Sequence, residues 1–278
     1  INYSILNSYE WWSILVSVKD DYWRYYVEVP YKSPIYKKWT DENGKEHIDY
    51  KCSYPITLLD WDEYSEVAYP LLSISETLLT RRLKLDLSVV SLFEYVVLLC
   101  IQDDIIPNLE KMFSMAFREP VIGMVYKHGE SQEVRFVFAS DNDFYIDKNN
   151  YLAVREVLMA QSFYFDPIVG ENERSQKLID KAIRRKIESN SKETNLESMI
   201  ALVRSEIPNI TWNTYTYYQL KIDYYTILRK ETFRSIHVYK VMGSNAPIPE
   251  FSEILDAHSN PLGVDVLFKK NDRTQDSY

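Results

Sequence analysis

Apolar positions change their spacing twice along this chain, and the changes divide it into an aromatic β-leaning segment over 1–55, a helical body over 56–243 and an extended arm over 244–278. In the first segment, Tyr22-Trp23-Arg24-Tyr25-Tyr26-Val27-Glu28-Val29 is rich in strand formers and stops at Pro30. A polar stretch, Lys37 to Glu46, contains the turn dipeptide Asn43-Gly44, and a second short strand from Ile48 to Ser53 is expected to pair back across it. From Pro55 the period becomes helical. Tyr64, Val67, Ala68, Leu71 and Leu72 recur at three and four residues behind Asp60-Trp61-Asp62-Glu63, where Asp60 and Glu63 have the capping-box spacing. Pro70 is expected to kink or split this helix, with Leu78 to Leu87 continuing it.

Ser88 then opens an apolar helix, Val89 to Cys100, and Asp103 or Asp104 caps another that runs through Pro107 to Phe117. Two strand-like runs, Val121–Tyr126 and Val134–Phe138, flank Lys127-His128-Gly129-Glu130-Ser131 and predict a hairpin with Arg135 on one face and apolar residues on the other. Asp147 is read as the cap of a helix through Tyr151, Val154, Val157, Leu158 and Gln161, broken at Asp166-Pro167. Glu171 to Ser189 mixes Lys177, Lys181, Arg184, Arg185 and Lys186 with acids, which describes a solvated helix better than a phosphate-binding one. Leu196 to Ile207 is a further helix. Thr214 or Thr216 starts a long aromatic one, Tyr217 to Met242, with Gly243 as its C′ residue. The tail from Asn245 carries Pro247, Pro249 and Pro261 and reads as a docked or extended arm, disordered over its last nine residues. The fold class is therefore α+β, predominantly helical after residue 57, with a β-hairpin near 121–138.

Composition narrows the function more than the fold. Across 278 residues, 32 Lys+Arg face 41 Asp+Glu, a formal net charge of −9, which argues against a dedicated nucleic-acid binder. The longest apolar run, Val96 to Ile101, is far short of the roughly 18 residues a bilayer needs. No basic leader precedes it at Ile1, so no secretory signal is read and a soluble, cytoplasmic protein is expected. With only 6 glycines, none spaced for a phosphate loop or dinucleotide fold, kinases, P-loop ATPases and dinucleotide enzymes are disfavoured. There are 23 Tyr and 6 Trp, side chains with an apolar face and a polar tip that suit partly wet contact surfaces as well as cores.

Candidate chemistry is thin. Cys52 and Cys100 cannot build a disulfide framework, and His47 with Cys52 forms one His-x4-Cys pair without the second pair a zinc site wants. Asp141-Asn142-Asp143 resembles the start of a calcium loop, but Ile146 and Leu152 stand where glycine and glutamate belong. The scarce histidines, His47, His128, His237 and His258, form no ligand grouping. Asp49-Tyr50-Lys51 has the acid-x-Lys order of metal-dependent nucleases, and Glu133-Val134-Arg135 shows how readily chance supplies such triplets. No catalytic residue, metal site or cofactor is assigned, and an enzyme is not expected.

The order of segments carries a resemblance. Tyr54-Pro55-Ile56-Thr57-Leu58-Leu59-Asp60-Trp61-Asp62-Glu63-Tyr64 leads into helices at Val89–Cys100 and Ile105–Phe117. The hairpin follows, then Ile146-Asp147-Lys148-Asn149-Asn150-Tyr151, Phe165-Asp166-Pro167, the charged helix, and Thr216-Tyr217-Tyr218-Gln219-Leu220. Over roughly 54–243 this layout resembles tail-morphogenesis proteins of tailed bacteriophages, particularly the tail assembly chaperone-like group. The resemblance implies a non-enzymatic protein of the host cytoplasm that binds tail-tube or tape-measure subunits and keeps their sticky surfaces apart. Tyr217, Tyr218, Leu220, Tyr224 and Tyr225 would supply the partner-binding face, being too widely spread for one core stripe, although a central helix buried all round explains them equally well. A structural connector or baseplate component of the virion is the alternative, and a metal-dependent nuclease on Asp49 and Lys51 a weak third. Self-association is left open; no membrane or nucleic-acid partner is expected.

Overall fold

In a computed structural model of the chain, the described residues are 31–242 apart from 83, 85, 88–89, 129–130, 165, 167–168, 171 and 190–194. The strand expected at Tyr22–Val29, the Gly243 helix stop and the C-terminal arm lie outside them. The α+β class is observed, with eight helices and two small antiparallel sheets among the described residues.

The first sheet is a hairpin of β1 (Tyr31–Thr40) and β2 (Glu46–Ser53). Its turn falls at Asn43-Gly44, where Gly44 takes φ +79°, a left-handed conformation that favours glycine. Asp41 locks that turn by accepting from the Asn43 and Lys45 amides, both at 2.9 Å. The polar stretch from Lys37 is strand up to Thr40 rather than loop. Cross-strand pairs explain the difference: the Trp39 indole stacks on His47 at 4.5 Å and donates to Asp49 at 2.7 Å.

Next come α1 (Trp61–Leu72) and the short α2 (Glu76–Arg82). The periodic residues Tyr64, Val67, Ala68, Leu71 and Leu72 are all buried, as their spacing predicts. Two expectations fail here. Asp60 makes no side-chain cap, because its carboxylate accepts instead from the Thr57 hydroxyl at 2.7 Å. Pro70 does not split α1; it sits in the last turn, where its missing N–H costs one bond just before the helix ends at Ser73. Ser75 opens α2 by accepting from the Leu78 amide at 3.2 Å, so this helix is separate and shorter than the predicted Leu78–Leu87.

Helix α3 (Leu92–Gln102) starts at Ser91, not Ser88. Ser91 and Glu94 form a complete capping box, and the Ser91 hydrogen bonds, backbone first, together with Lys148 hold the Glu94 carboxyl below the usual carboxylate range. Asp103 and Asp104 do not cap the following helix, α4 (Ile106–Phe117). They end α3 instead, with the Asp103 amide on Leu99 O at 3.0 Å and Asp104 in the left-handed region at φ +55°. Pro107 lies in the first turn of α4, as the sequence predicts.

The predicted hairpin near 121–138 is a three-stranded meander, β3 (Val121–His128), β4 (Ser131–Phe138) and β5 (Asp141–Ile146), in the order β3-β4-β5. Its strands run further than expected, and β5, for which no strand was expected, contains the Asp141-Asn142-Asp143 triplet. Phe136, Phe138, Phe144 and Ile146 turn inward and are buried. Arg135 lies on the other face between the rings of Tyr126 (5.1 Å) and Tyr145 (4.3 Å). That face is not purely polar, since Ile122 and Met124 share it and are exposed.

Four helices complete the body: α5 (Tyr151–Gln161), α6 (Glu173–Ser189), α7 (Leu196–Glu206) and α8 (Tyr217–Val241). Asp147 serves α5 from just outside it, bonding the Asn149 amide at 2.9 Å, while Asn150 occupies the cap position. One hydrophobic cluster spans the body. Phe93, Phe113, Phe136 and Tyr151 meet edge-on or tilted within it, joining α3, α4, β4 and α5. No helix among the described residues is long and apolar enough to cross a membrane.

Candidate functional site

The site grows from the start of α8. Thr216 accepts from the Gln219 amide at 3.1 Å while the Gln219 side chain accepts from the Thr216 amide at 2.8 Å, a reciprocal cap that fixes where the helix begins. The same corner is sewn to the segment before α1: the Tyr217 amide bonds Ile56 O and the Leu58 amide bonds Tyr215 O, both at 2.9 Å. These backbone bonds bring the first residues of α1 and α8 together, and Trp61 stacks on Tyr217 with centroids 3.4 Å apart and planes 4° from parallel.

An aromatic wall extends outward from that stack. Tyr69 meets Trp61 edge-on at 5.9 Å and Tyr164 at 5.1 Å, while Phe163 packs on Tyr218 and Tyr225 at 5.5 and 5.8 Å. Phe163 adopts φ +53°, an unusual conformation for a bulky residue, which carries its ring back towards α8. Lys221 lies over the Tyr217 ring at 5.3 Å. Burial lowers the Lys221 ammonium from its ordinary value, and among the described residues no acid pairs with it. Burial likewise raises the Tyr69, Tyr217 and Tyr225 phenols, so all three are neutral hydrogen-bonding tips at physiological pH.

The five residues singled out in the sequence divide across this wall. Tyr217, Tyr218 and Leu220 are interior, at 6%, 1% and 0% exposure, and as they stand are core rather than contact surface. Tyr224 and Tyr225 are half-buried at its rim. Trp61, Tyr69, Phe163, Tyr164 and Lys221 belong to the same wall and escaped sequence reasoning, because four of them come from α1 and the segment after α5.

One face of α8 runs from this wall into solvent. Lys221, Tyr225, Leu228, Tyr239 and Met242 fall on it at helical spacing, Tyr225 and Tyr239 being about four turns apart. The first three are half-buried, whereas Tyr239 and Met242 are 64% and 77% exposed. Val238 and Val241 beside them are exposed as well. Lys230 ties α8 to α7 through an ion pair with Glu206 at 2.8 Å.

Elsewhere, polar groups pair with one another instead of converging on a reaction centre. Asp49 accepts from Trp39, and Lys51 bonds Glu119, so the acid-x-Lys triplet is divided between two separate contacts. Lys37 lies between Asp141 and Asp143 of the calcium-like triplet. His47 bonds Asp41 at 3.1 Å. Cys100 is buried, its thiol pushed up to about 11 by burial and then by Asp103. Among the described residues no group of three or more His, Cys, Asp or Glu is placed to hold a metal ion. A cleft of about 690 Å³ between α1 and the end of α4 contains Glu63 and Lys111, paired at 2.9 Å. Comparison with protein-family models, with curated proteins and with solved structures returns no match for this chain.

Proposed function

We propose that the chain works by protein–protein contact, as a chaperone that holds tail-tube or tape-measure subunits during the assembly of a phage tail. The observation that carries the contact reading is the face of α8 that begins in the aromatic wall at Tyr225 and ends with Tyr239 and Met242 in solvent. An exposed apolar end on the same helix face as a half-buried aromatic rim, with Thr232 and Ser235 between them, suits an amphipathic helix or an edge strand from a partner. Lys221, lacking an acid partner among the described residues, suits a partner segment that carries a carboxylate within its apolar face. The tail-assembly role itself rests on the order of segments over 54–243.

The test is co-purification from phage-producing cells, with mass spectrometry of the soluble complexes and of finished particles. Tail-tube or tape-measure subunits in the soluble complex, and no copy of this chain in the particle, support the chaperone. A fixed copy number in the particle replaces it with a connector or baseplate component. Recovery of host proteins alone overturns the phage assignment.

A further inference from the structure

Among the described residues, only α4 covers the free edge of the meander, and only in part. In an antiparallel sheet, alternate residues of an edge strand point their N–H groups away from the sheet. On β3 these outward residues are identified by their partners: the Val121 amide bonds the Ser114 hydroxyl at 2.9 Å and the Gly123 amide bonds the Glu110 carboxylate at 2.8 Å, both on α4. The regular register with β4 carries the alternation on to Val125 and Lys127. Among the described residues no acceptor reaches the Val125 amide, and its side chain is 59% exposed. Met124 and Tyr126, on the opposite face, are exposed as well, so this end of the strand is apolar on both sides.

We propose that β3 pairs with β3 of a second copy of this chain, antiparallel over residues 123–127 about a two-fold axis at Val125. Such a contact is isologous, so whatever stands on one side of the axis must suit what stands on the other. Val125 faces its own copy, a β-branched pair that exchanges two backbone hydrogen bonds. Met124 faces the Tyr126 position, and within one chain the Tyr126 hydroxyl already donates to the Met124 sulfur at 3.7 Å. Lys127 faces the Gly123 position, where its carbonyl takes over the Gly123 amide and releases the Glu110 carboxylate to the Lys127 ammonium. Within one chain, and among the described residues, Lys127 has no acid partner and Glu110 has no cation partner. The two unmatched charges lie on opposite sides of Val125, so the two-fold brings them together twice. Helix α4 meets the edge at Val121 through Ser114 and at Gly123 through Glu110, so a slip towards Val121 would set the incoming strand against Ser114. This edge is independent of what α8 holds.

Sedimentation velocity on the full chain, from nanomolar to high micromolar concentration, tests the pairing. A concentration-dependent dimer is expected. Val125→Pro removes only an outward N–H, leaves the β4 ladder intact and is expected to give a monomer with an unchanged circular dichroism spectrum. Lys127→Glu is expected to weaken the dimer roughly tenfold through its two symmetric pairs, and adding Glu110→Lys to restore it. The charge reversal decides the matter if Val125→Pro perturbs folding. A wild-type monomer at every concentration overturns the proposal. So does a dimer that neither Val125→Pro nor Lys127→Glu weakens.

Discussion

The two halves of α8 share one helix but differ in what surrounds them. From Tyr217 to Ile227 the helix is enclosed by α1, α5 and the aromatic wall, with Tyr218 and Leu220 almost fully buried. From Glu231 onward Val238, Tyr239, Val241 and Met242 stand in water although their chemistry is no more polar. The front half is what a central helix looks like when the rest of the chain closes around it. The back half has the same kind of side chain, and Val238, Tyr239, Val241 and Met242 at its end are exposed, which is the surface we propose for partner contact. A tyrosine on α8 therefore acquires its role from its distance to the Thr216 cap.

Substitutions separate the halves, and the largest effects belong in front. Leu220→Ala or Tyr218→Ala should lower unfolding free energy by about 3 kcal/mol, read from urea titrations, since each leaves a cavity in closed packing. An effect below about 1 kcal/mol would place the front half outside the core. Thr216→Ala removes one side of the reciprocal cap and should cost about 1 kcal/mol, with Gln219→Ala similar and the double variant less than additive. In the back half, Tyr239→Ala with Met242→Ala should leave stability within about 0.5 kcal/mol while partner capture falls. Any large loss of stability there would mean that this end of α8 is covered within the chain.

The smallest effect concerns Lys221. Because burial lowers its folded-state pKa below the ordinary 10.5, the unfolded chain binds the proton more tightly, and this group's contribution to stability rises with pH up to that value. Lys221→Met should therefore be the more stable protein at neutral pH, and its advantage over wild type should shrink as pH approaches 10.5, as thermal melts at pH 7 and pH 10 would show. A constant difference between the two melts would remove burial as the cause.

Much of this was legible in residue spacing. The inward positions of α1, the Asn43-Gly44 turn, Pro107 in the first turn of α4 and the pairing of 121–126 with 134–138 follow from period and turn chemistry alone. Helix starts were harder to place where candidate caps crowd together. Ser88 and Ser91 both precede the same apolar run, and only Ser91 has a glutamate three residues on to complete the box. Strand β5 was hidden because Asp141, Asn142 and Asp143 are turn formers, placed in a strand here by the β4 ladder and by Lys37 from β1. At the site, α8 was legible as an aromatic helix, but its burial was not. Trp61 lies far from Tyr217 in sequence, and their stack depends on the backbone bonds between residues 56–58 and 215–217.

The central claim is that the exposed end of α8 holds another protein. Its most direct test is capture from phage-producing cells by wild type and by the double variant Tyr239→Glu, Met242→Glu, run side by side after both show the same thermal melt. Wild type is expected to retain tail-tube or tape-measure subunits and the variant to lose them. Equal capture by the two proteins would contradict it.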